Sequence, residues 1–194
     1  MISSERSQNA IMAITLIIGV LSGVSLAGSS AYYSGSYLMV RYLEVDLLGI
    51  KAQNLQLENE TVNPSLTLSF NMQVPDGLSG KASVTFLRAS VYLNGESFDY
   101  TFFRKRLSME DRELFPGYDK NHTIGSTITV DSDKEILYNA YEESNWTFSV
   151  VLTIFYHTFD SDASEVRVVS FSQVGVDIVE PLEFTVSCEN CFKQ

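Results

Sequence analysis

An uninterrupted apolar segment near the N-terminus constrains this chain more than any other feature. From residue 10 to residue 27 no side chain is charged, and only Thr15, Ser22 and Ser25 are polar. A helix of this length spans about 27 Å, close to the roughly 30 Å hydrocarbon core of a bilayer. The core helix of a soluble domain would show a polar face. The segment therefore predicts a membrane-spanning helix.

The end of this segment leaves two fates open. Ser25-Leu26-Ala27 followed by Gly28 has the small-x-small pattern that a signal peptidase accepts. The apolar run is longer than the roughly 7 to 15 residues of a signal-peptide core, which favours an uncleaved anchor. Arg6 precedes the helix, and the next basic residue is Arg41. This arrangement predicts a cytoplasmic N-terminus and an extracytoplasmic C-terminal domain at the cell membrane.

Three small residues define one side of the predicted membrane helix. Gly19, Gly23 and Ala27 lie four residues apart, so they share a helix face on which a second helix can approach closely. This spacing permits a homodimer through the helix. The alternative is that Gly and Ala are simply frequent in membrane helices.

The rest of the chain shows the patterns of β-strands. Apolar and polar residues alternate over 66–74, which is the signature of a strand with one buried face. Asn94-Gly95 joins two β-branched and aromatic runs, 82–93 and 97–103, and favours a tight hairpin. A short helix is predicted over 131–143, capped by Ser132 or Asp133. Seven to nine strands without a βαβ rhythm predict a mainly β fold, an antiparallel β-sandwich preceded by one transmembrane helix.

Composition agrees with one folded, acidic domain behind an anchor. The 194 residues are 45% hydrophobic and include 12 Phe and 10 Tyr, which is enough to form a core. The formal net charge of -11 repels phosphate backbones, so nucleic acid is excluded as a partner. The predicted segments are a cytoplasmic leader 1–9, a transmembrane helix 10–31, a linker 32–40, a β-sandwich domain 41–187 and a C-terminal tail 188–194.

The order of three short motifs is similar to a known family. Asn63-Pro64 opens the alternating strand, the later hairpin ends in Val91-Tyr92-Leu93-Asn94-Gly95, and Phe115-Pro116-Gly117 precedes an extended run. This order resembles the water-stress and hypersensitive-response (WHy) domain of the late-embryogenesis-abundant group, over about residues 40–178. Pro64-Ser65, where such domains often read Asn-Pro-Asn, and the insertion around 107–119 depart from that pattern. The resemblance implies an immunoglobulin-like or fibronectin-like β-sandwich without catalytic residues, and a stress-related role.

The two cysteines form one C-terminal motif, Cys188-Glu-Asn-Cys191. A structural or terminal disulfide suits an exported domain. Redox catalysis requires a thiolate stabilised at a helix N-terminus, whereas this pair follows a predicted strand. A metal clip requires two further ligands, since zinc prefers four. Intermolecular disulfides and free thiols are also compatible with the motif.

Three sequons follow the apolar segment, and they are candidates for N-glycosylation. They begin at Asn59, Asn121 and Asn145. The first and second fall in predicted turns, which makes them the better acceptors. Glycosylation there would place the domain outside the cytoplasm.

No pattern in the sequence predicts an active site, a cofactor or a resident metal. His122 and His157 have no nucleophile at motif spacing, and no phosphate-binding loop is present. Arg104-Lys105-Arg106 is interpreted as a solvated turn that can pair with an acidic partner or with headgroups. Asp131-Ser132-Asp133 and Asp160-Ser161-Asp162 are interpreted as solvated turns rather than calcium loops.

Two classes of function remain. The favoured one is a non-catalytic, membrane-anchored module of the cell envelope that binds a protein or glycan on the outer face. The second is a redox or metal-dependent factor that uses Cys188 and Cys191.

Overall fold

A computed structural model describes residues 5–55, 62–158 and 164–172, together with the backbone of 184–187 and 192–193. Its helices are α1 (Glu5–Arg41), α2 (Met109–Arg112) and α3 (Asp131–Glu142). Its strands are β1 (Glu44–Gln53), β2 (Ser65–Gln73), β3 (Ala82–Leu93), β4 (Glu96–Ser97), β5 (Phe103–Arg106), β6 (Glu113–Leu114), β7 (Asp119–Thr127), β8 (Phe148–Thr158), β9 (Glu165–Ser172), β10 (Phe184–Ser187) and β11 (Phe192–Lys193).

The strands form two antiparallel sheets. The first has the order β10-β1-β2-β7, and the second has the order β11-β9-β8-β3, with the short strands β4, β5 and β6 paired along the free edge of β3. Every pairing between neighbours is antiparallel. The mainly β, antiparallel class is therefore confirmed. The predicted count of seven to nine strands is not confirmed, because the described residues contain eleven strands. Five of these are four residues long or shorter and pair along the edges of the longer strands.

Side chains from both sheets meet in one hydrophobic core. β2 alternates buried and half-buried residues along its whole length, as the sequence pattern predicts. Phe70 from the first sheet lies 6.1 Å from Phe171 of the second, measured between ring centroids. Trp146, in the connection between α3 and β8, is completely buried. One core therefore joins the two sheets.

A β-bulge interrupts the first strand. The register between β1 and β2 shifts between Leu47 and Gly49, which leaves Leu48 44% exposed between buried neighbours. One extra residue in a strand moves the following side chains to the opposite face. The bulge thus returns Ile50 and Ala52 to the core, although the simple alternation that begins at Leu43 would not place them there.

The Asn94-Gly95 turn is confirmed, but the strand after it is not as predicted. Both residues have positive φ, 53° and 88°, as a tight hairpin turn requires. Only Glu96 and Ser97 then pair with β3 before the chain leaves the sheet. It rejoins the same edge at Phe103 as β5. The predicted strand 97–103 is therefore mostly a loop.

The segment predicted as a linker is helical. α1 does not end near residue 31 but continues to Arg41. Its last turns lie on the β domain, where Gly35, Ser36, Met39 and Val40 are buried. The prediction of a linker over 32–40 is wrong because these side chains belong to the core, and buried contacts extend the helix beyond the apolar segment.

Close backbone approach holds the helix on the domain. A Cβ at Gly35 would overlap the carbonyl group of Ser79, and Gly80, at φ 112°, approaches the backbone of Ser36. The Lys81 N–H donates to Ser36 Oγ at 2.8 Å, and Ser36 Oγ in turn donates to the Tyr32 carbonyl at 3.0 Å. Only residues without bulk at these positions permit such contact.

A distant arginine caps the end of the helix. The guanidinium of Arg167, in β9, donates to the carbonyl oxygen of Val40. The last carbonyls of a helix lack intrahelical donors and carry partial negative charge, so a cation there is favourable. Arg167 thereby connects the helix terminus to the second sheet.

The contact between the end of α1 and the loop before β3 leads to a stability prediction. We expect Gly35→Ala to lower the free energy of unfolding by about 1–3 kcal/mol, because the added methyl group forces the helix and the Ser79 backbone apart. Urea unfolding of the full chain, followed by fluorescence of the single, buried Trp146, measures this change. Gly28→Ala is the matched control, since a Cβ there meets nothing within 4 Å. Equal stability of the two variants would contradict the docking.

Candidate functional site

The outer face of the second sheet combines arginines with exposed apolar groups. Strand register places Arg106, Phe86, Phe155 and Val166 in one row across β5, β3, β8 and β9. The adjacent row contains Arg104, Arg88, Thr153 and Val168. We call this surface the arginine–aromatic face, which comprises Phe86, Arg88, Phe102, Arg104, Arg106, Phe155, Val166 and Val168.

Aromatic rings organise the centre of the face. The rings of Phe86 and Phe155 lie edge to face, 5.5 Å apart. Phe102 stands on the rim and is 61% exposed, and the Arg104 guanidinium lies 5.8 Å from its ring centroid. A cation over an aromatic ring is held in place while its donors remain available. The face therefore presents one preorganised guanidinium group, that of Arg104, beside apolar surface.

A groove of about 440 Å³ opens on the same face. Its wall is the loop 98–102, which lies beside β3 where the edge strand is interrupted. Phe98 and Phe103, both buried and packed edge to face at 6.2 Å, support this wall from the core side. Arg88 and Arg104 line the groove together with Phe86 and Phe155.

A buried carboxylate fixes the wall of the groove. Asp133 Oδ2 accepts a hydrogen bond from the Thr101 hydroxyl at 2.7 Å and another from the Tyr100 N–H at 3.1 Å. Asp133 is 1% exposed, so these bonds replace the water that it loses. The prediction that Ser132 or Asp133 caps α3 is wrong, since the N-cap is Val130 and makes no side-chain hydrogen bond.

The arginines of the face are electrostatically unbalanced. Among the described residues, no carboxylate lies within ion-pair distance of Arg88, Arg104 or Arg106. This is notable in a chain with 24 acidic and 13 basic residues. Arg104-Lys105-Arg106 does not form the predicted turn, because all three residues pair with β3 as part of β5. Strand geometry directs the two arginines to one side and the lysine to the other.

A second polar cluster is centred on two buried side chains. Tyr118 and His122 are 1% and 2% exposed, and the Tyr118 hydroxyl lies 2.8 Å from His122 Nε2. The hydroxyl donates to the Asp111 carbonyl at 2.8 Å, so His122 Nε2 carries the proton shared with Tyr118. Lys120 Nζ pairs with the Asp111 carboxylate at 2.9 Å. These bonds tie the segment around α2 to β7.

Burial and hydrogen bonds shift the pKa values in this cluster. Desolvation raises the pKa of Tyr118 to about 12, with a smaller contribution from the charge of Asp111. Burial lowers the pKa of His122 below its ordinary value, and the positive charge of Lys105 acts in the same direction. Hydrogen bonds from Lys120 and Ser108 lower the pKa of the Asp111 carboxyl. His122 is therefore held neutral inside the domain.

The sequons differ in their placement. Asn121 lies in β7 rather than in a turn, directly opposite Asn71, whose side-chain amide donates to its oxygen at 2.9 Å. The turn prediction is wrong because pairing with β2 extends over the whole segment. Asn145 is exposed in the connection before β8, while the Trp146 side chain beside it is buried. Asn59 lies outside the described residues.

The remaining predicted site residues lie on α1 or outside the described residues. Gly19, Gly23 and Ala27 lie on an exposed part of α1, and a Cβ at either glycine meets nothing within 4 Å. Cys188, Cys191 and the Asp160-Ser161-Asp162 loop lie outside the described residues. In the described part of the chain, no group of three His, Cys, Asp or Glu residues is placed to hold a metal ion.

Sequence reasoning missed the arginine–aromatic face. Its members come from four strands and a loop, so no local motif contains them. One signal was present: Arg88 is the only charged residue in the β-branched and aromatic run of β3. A charge in the middle of such a strand marks its solvent-facing side and the surface around it.

Comparison with known proteins leaves the family open. No protein-family model matches the chain, and no curated protein matches it. Among solved structures, one match is a crystal structure of a protein from Archaeoglobus fulgidus, with a TM-score of 0.41 and 9% identity. The aligned region covers 69% of the present chain and 100% of the archaeal protein. A structural similarity at this level does not identify a family, so the resemblance to the WHy domain stays a prediction.

The buried histidine yields a pH prediction. The folded state holds the pKa of His122 below 6.5, so the unfolded chain binds more protons as the pH falls through that value. We expect the free energy of unfolding to decrease between pH 7.5 and about 5.5 and the decrease to be smaller in His122→Gln. Urea titrations across this range measure the slope.

The matched control for this prediction is Asn121→Gln, which changes the neighbouring, solvent-facing position of β7. It should keep the slope of the unmodified chain. If His122→Gln also kept that slope, burial of neutral His122 would not contribute to the pH dependence of stability.

Proposed function

We propose that this protein is a single-pass, membrane-anchored β-sandwich module of the cell envelope, with its domain outside the cytoplasm and no catalytic role. One observation carries the proposal: α1 is continuous from the apolar segment into the β domain. The domain is thus held directly by the helix that would cross the membrane.

The exposed surface of α1 supports the membrane part of the proposal. The helix is long and apolar enough to cross a bilayer, and none of its apolar window is buried in the protein. Large apolar side chains of this window are each at least 48% exposed, namely Ile11, Met12, Ile14, Leu16, Ile17, Ile18, Val20, Leu21, Val24 and Leu26. A soluble monomer rarely exposes a contiguous apolar surface of this extent, whereas hydrocarbon would cover it.

The junction supports the role of a positioned module. Gly35 and Ser36 are in backbone contact with the loop before β3, and Arg167 caps the helix end. These contacts give the domain one orientation relative to the helix. Such a design suits a protein that presents a particular face at a set angle to the membrane.

The buried titratable groups support a non-catalytic role. Asp133 accepts hydrogen bonds from Tyr100 and Thr101, while Tyr118 and His122 share a hydrogen bond and the Tyr118 hydroxyl donates to the Asp111 carbonyl. Asp133 joins α3 to a loop that lies 32 to 33 residues earlier in the chain, and the Tyr118 hydrogen bonds tie the segment around α2 to β7. Their hydrogen bonds are therefore used for structure, in contrast to the poised, accessible groups of an active site.

Topology is tested by translating the full chain with sealed microsomes. We expect the product to resist carbonate extraction, its domain to be protected from protease, and its sequons to acquire glycans. Asn121→Gln and Asn145→Gln should each reduce the apparent mass on a gel by one glycan, since both side chains are exposed. A protease-accessible, unglycosylated domain would refute the orientation. A soluble product beginning at Gly28 would refute the anchor.

The fixed angle between helix and domain is tested by pulsed electron spin resonance in nanodiscs. Spin labels at Ser29→Cys and Glu96→Cys, with Cys188 and Cys191 replaced by Ser, report the separation of α1 from the far end of β3. We expect one narrow distance distribution. Four flexible residues inserted between Ser30 and Ala31 should broaden it. A broad distribution without the insertion would contradict a docked helix.

A further inference from the structure

We infer that the arginine–aromatic face binds an acidic segment of a partner polypeptide that also carries apolar side chains. This goes beyond membrane anchoring and holds for either orientation of the domain. Three properties of the face lead to it: its unbalanced positive charge, its exposed aliphatic groups, and its groove with a fixed wall.

The charge of the face selects an anionic partner. Arg88 and Arg104 are directly opposite each other on β3 and β5, and Arg106 lies two residues along β5. No carboxylate of the described residues pairs with them, whereas Lys81, Lys120 and Lys134 all have acidic neighbours. Guanidinium groups at this spacing can bind successive carboxylates with paired hydrogen bonds. The groove lining also includes one acidic residue, Asp99.

The aliphatic groups of the face favour a polypeptide over an anionic glycan. Val166 and Val168 are 50% and 57% exposed and continue the rows that begin at Arg106 and Arg104. The hydroxyl groups of a sugar gain nothing from contact with aliphatic side chains, which offer them no hydrogen bond. Leu, Ile or Phe side chains of a peptide would cover both the valines and the Phe86–Phe155 pair. The combined surface therefore matches alternating acidic and apolar side chains.

The groove gives this face a defined shape before any partner arrives. Asp133 holds loop 98–102 through Tyr100 and Thr101, so the wall that carries Phe102 is fixed. Arg104 is held over the Phe102 ring. Fixed side chains lose little conformational entropy on binding, which favours recognition by a small surface.

The test uses the full chain in phosphatidylcholine nanodiscs and three fluorescent 16-residue peptides. All three share the same Leu, Phe and Ser positions, and the other positions are Glu, Gln or Lys. We expect the Glu peptide to bind about tenfold more tightly than the Gln peptide and the Lys peptide to bind least, with affinity falling as salt rises. A hyaluronan octasaccharide is the anionic glycan probe and should bind more weakly than the Glu peptide.

Two double variants separate the charged and apolar contributions. Arg88→Ser with Arg104→Ser should weaken the Glu peptide about tenfold or more and remove most of its advantage over the Gln peptide, since only Arg106 remains. Val166→Ser with Val168→Ser should weaken both peptides while that advantage remains. Lys81→Ser with Arg112→Ser removes the same net charge elsewhere and should change affinity by less than about twofold. Because the substituted side chains are exposed, we expect all three double variants to fold, and the fluorescence of Trp146 checks this.

Three results would overturn the inference. The first is a Glu-peptide affinity that Arg88→Ser with Arg104→Ser leaves unchanged, which includes the case in which the peptide does not bind to either protein. The second is a preference for hyaluronan, which would assign the face to a glycan. The third is self-association in sedimentation velocity that the same double variant abolishes, which would assign the face to a second copy of this chain.

Discussion

The contact between the end of α1 and the β domain is the constraint on which the rest of the structure depends. Gly35 and Gly80 allow two backbones to meet, and Met39 and Val40 enter the core from the helix. Because Arg167 of β9 caps Val40, the second sheet is tied to the helix as well. A helix that otherwise exposes its apolar surface is thereby made part of the fold. The orientation of every face of the domain relative to α1 follows from these few contacts.

The outer face of the second sheet owes its form to an interruption in pairing along β3. Continuous pairing after Glu96 would bury the edge and leave no groove. Instead, Tyr100 and Thr101 lie in a loop and donate hydrogen bonds to Asp133, and β5 then brings Arg104 opposite Arg88. One buried carboxylate thus both anchors α3 to the loop and keeps two arginines beside an open, apolar surface. Removing the carboxylate would leave two donors near α3 without their acceptor.

Much of the organisation followed from local patterns. The apolar segment of α1, the alternation in β2 and the positive-φ turn at Asn94-Gly95 are properties of short stretches, and each is confirmed. The errors arose where distant residues decided the outcome. The predicted linker is helical and its side chains enter the core, and the residues after Ser97 form a loop that bonds to Asp133 of α3. Asn121 was assigned to a turn although pairing with β2 makes it part of a strand.

The sequence by itself determined the apolar helix, the antiparallel β class, the tight hairpin and the acidic charge, because each depends on neighbours in the chain or on composition. Only the tertiary structure decided the docking of α1, the bulge at Leu47 and Gly49, and the assembly of Arg88, Arg104 and Phe155 on one face. Strand order and register bring together residues that are dozens of positions apart in the sequence. Periodicity shows which side of a strand faces solvent, but not which strands lie next to it.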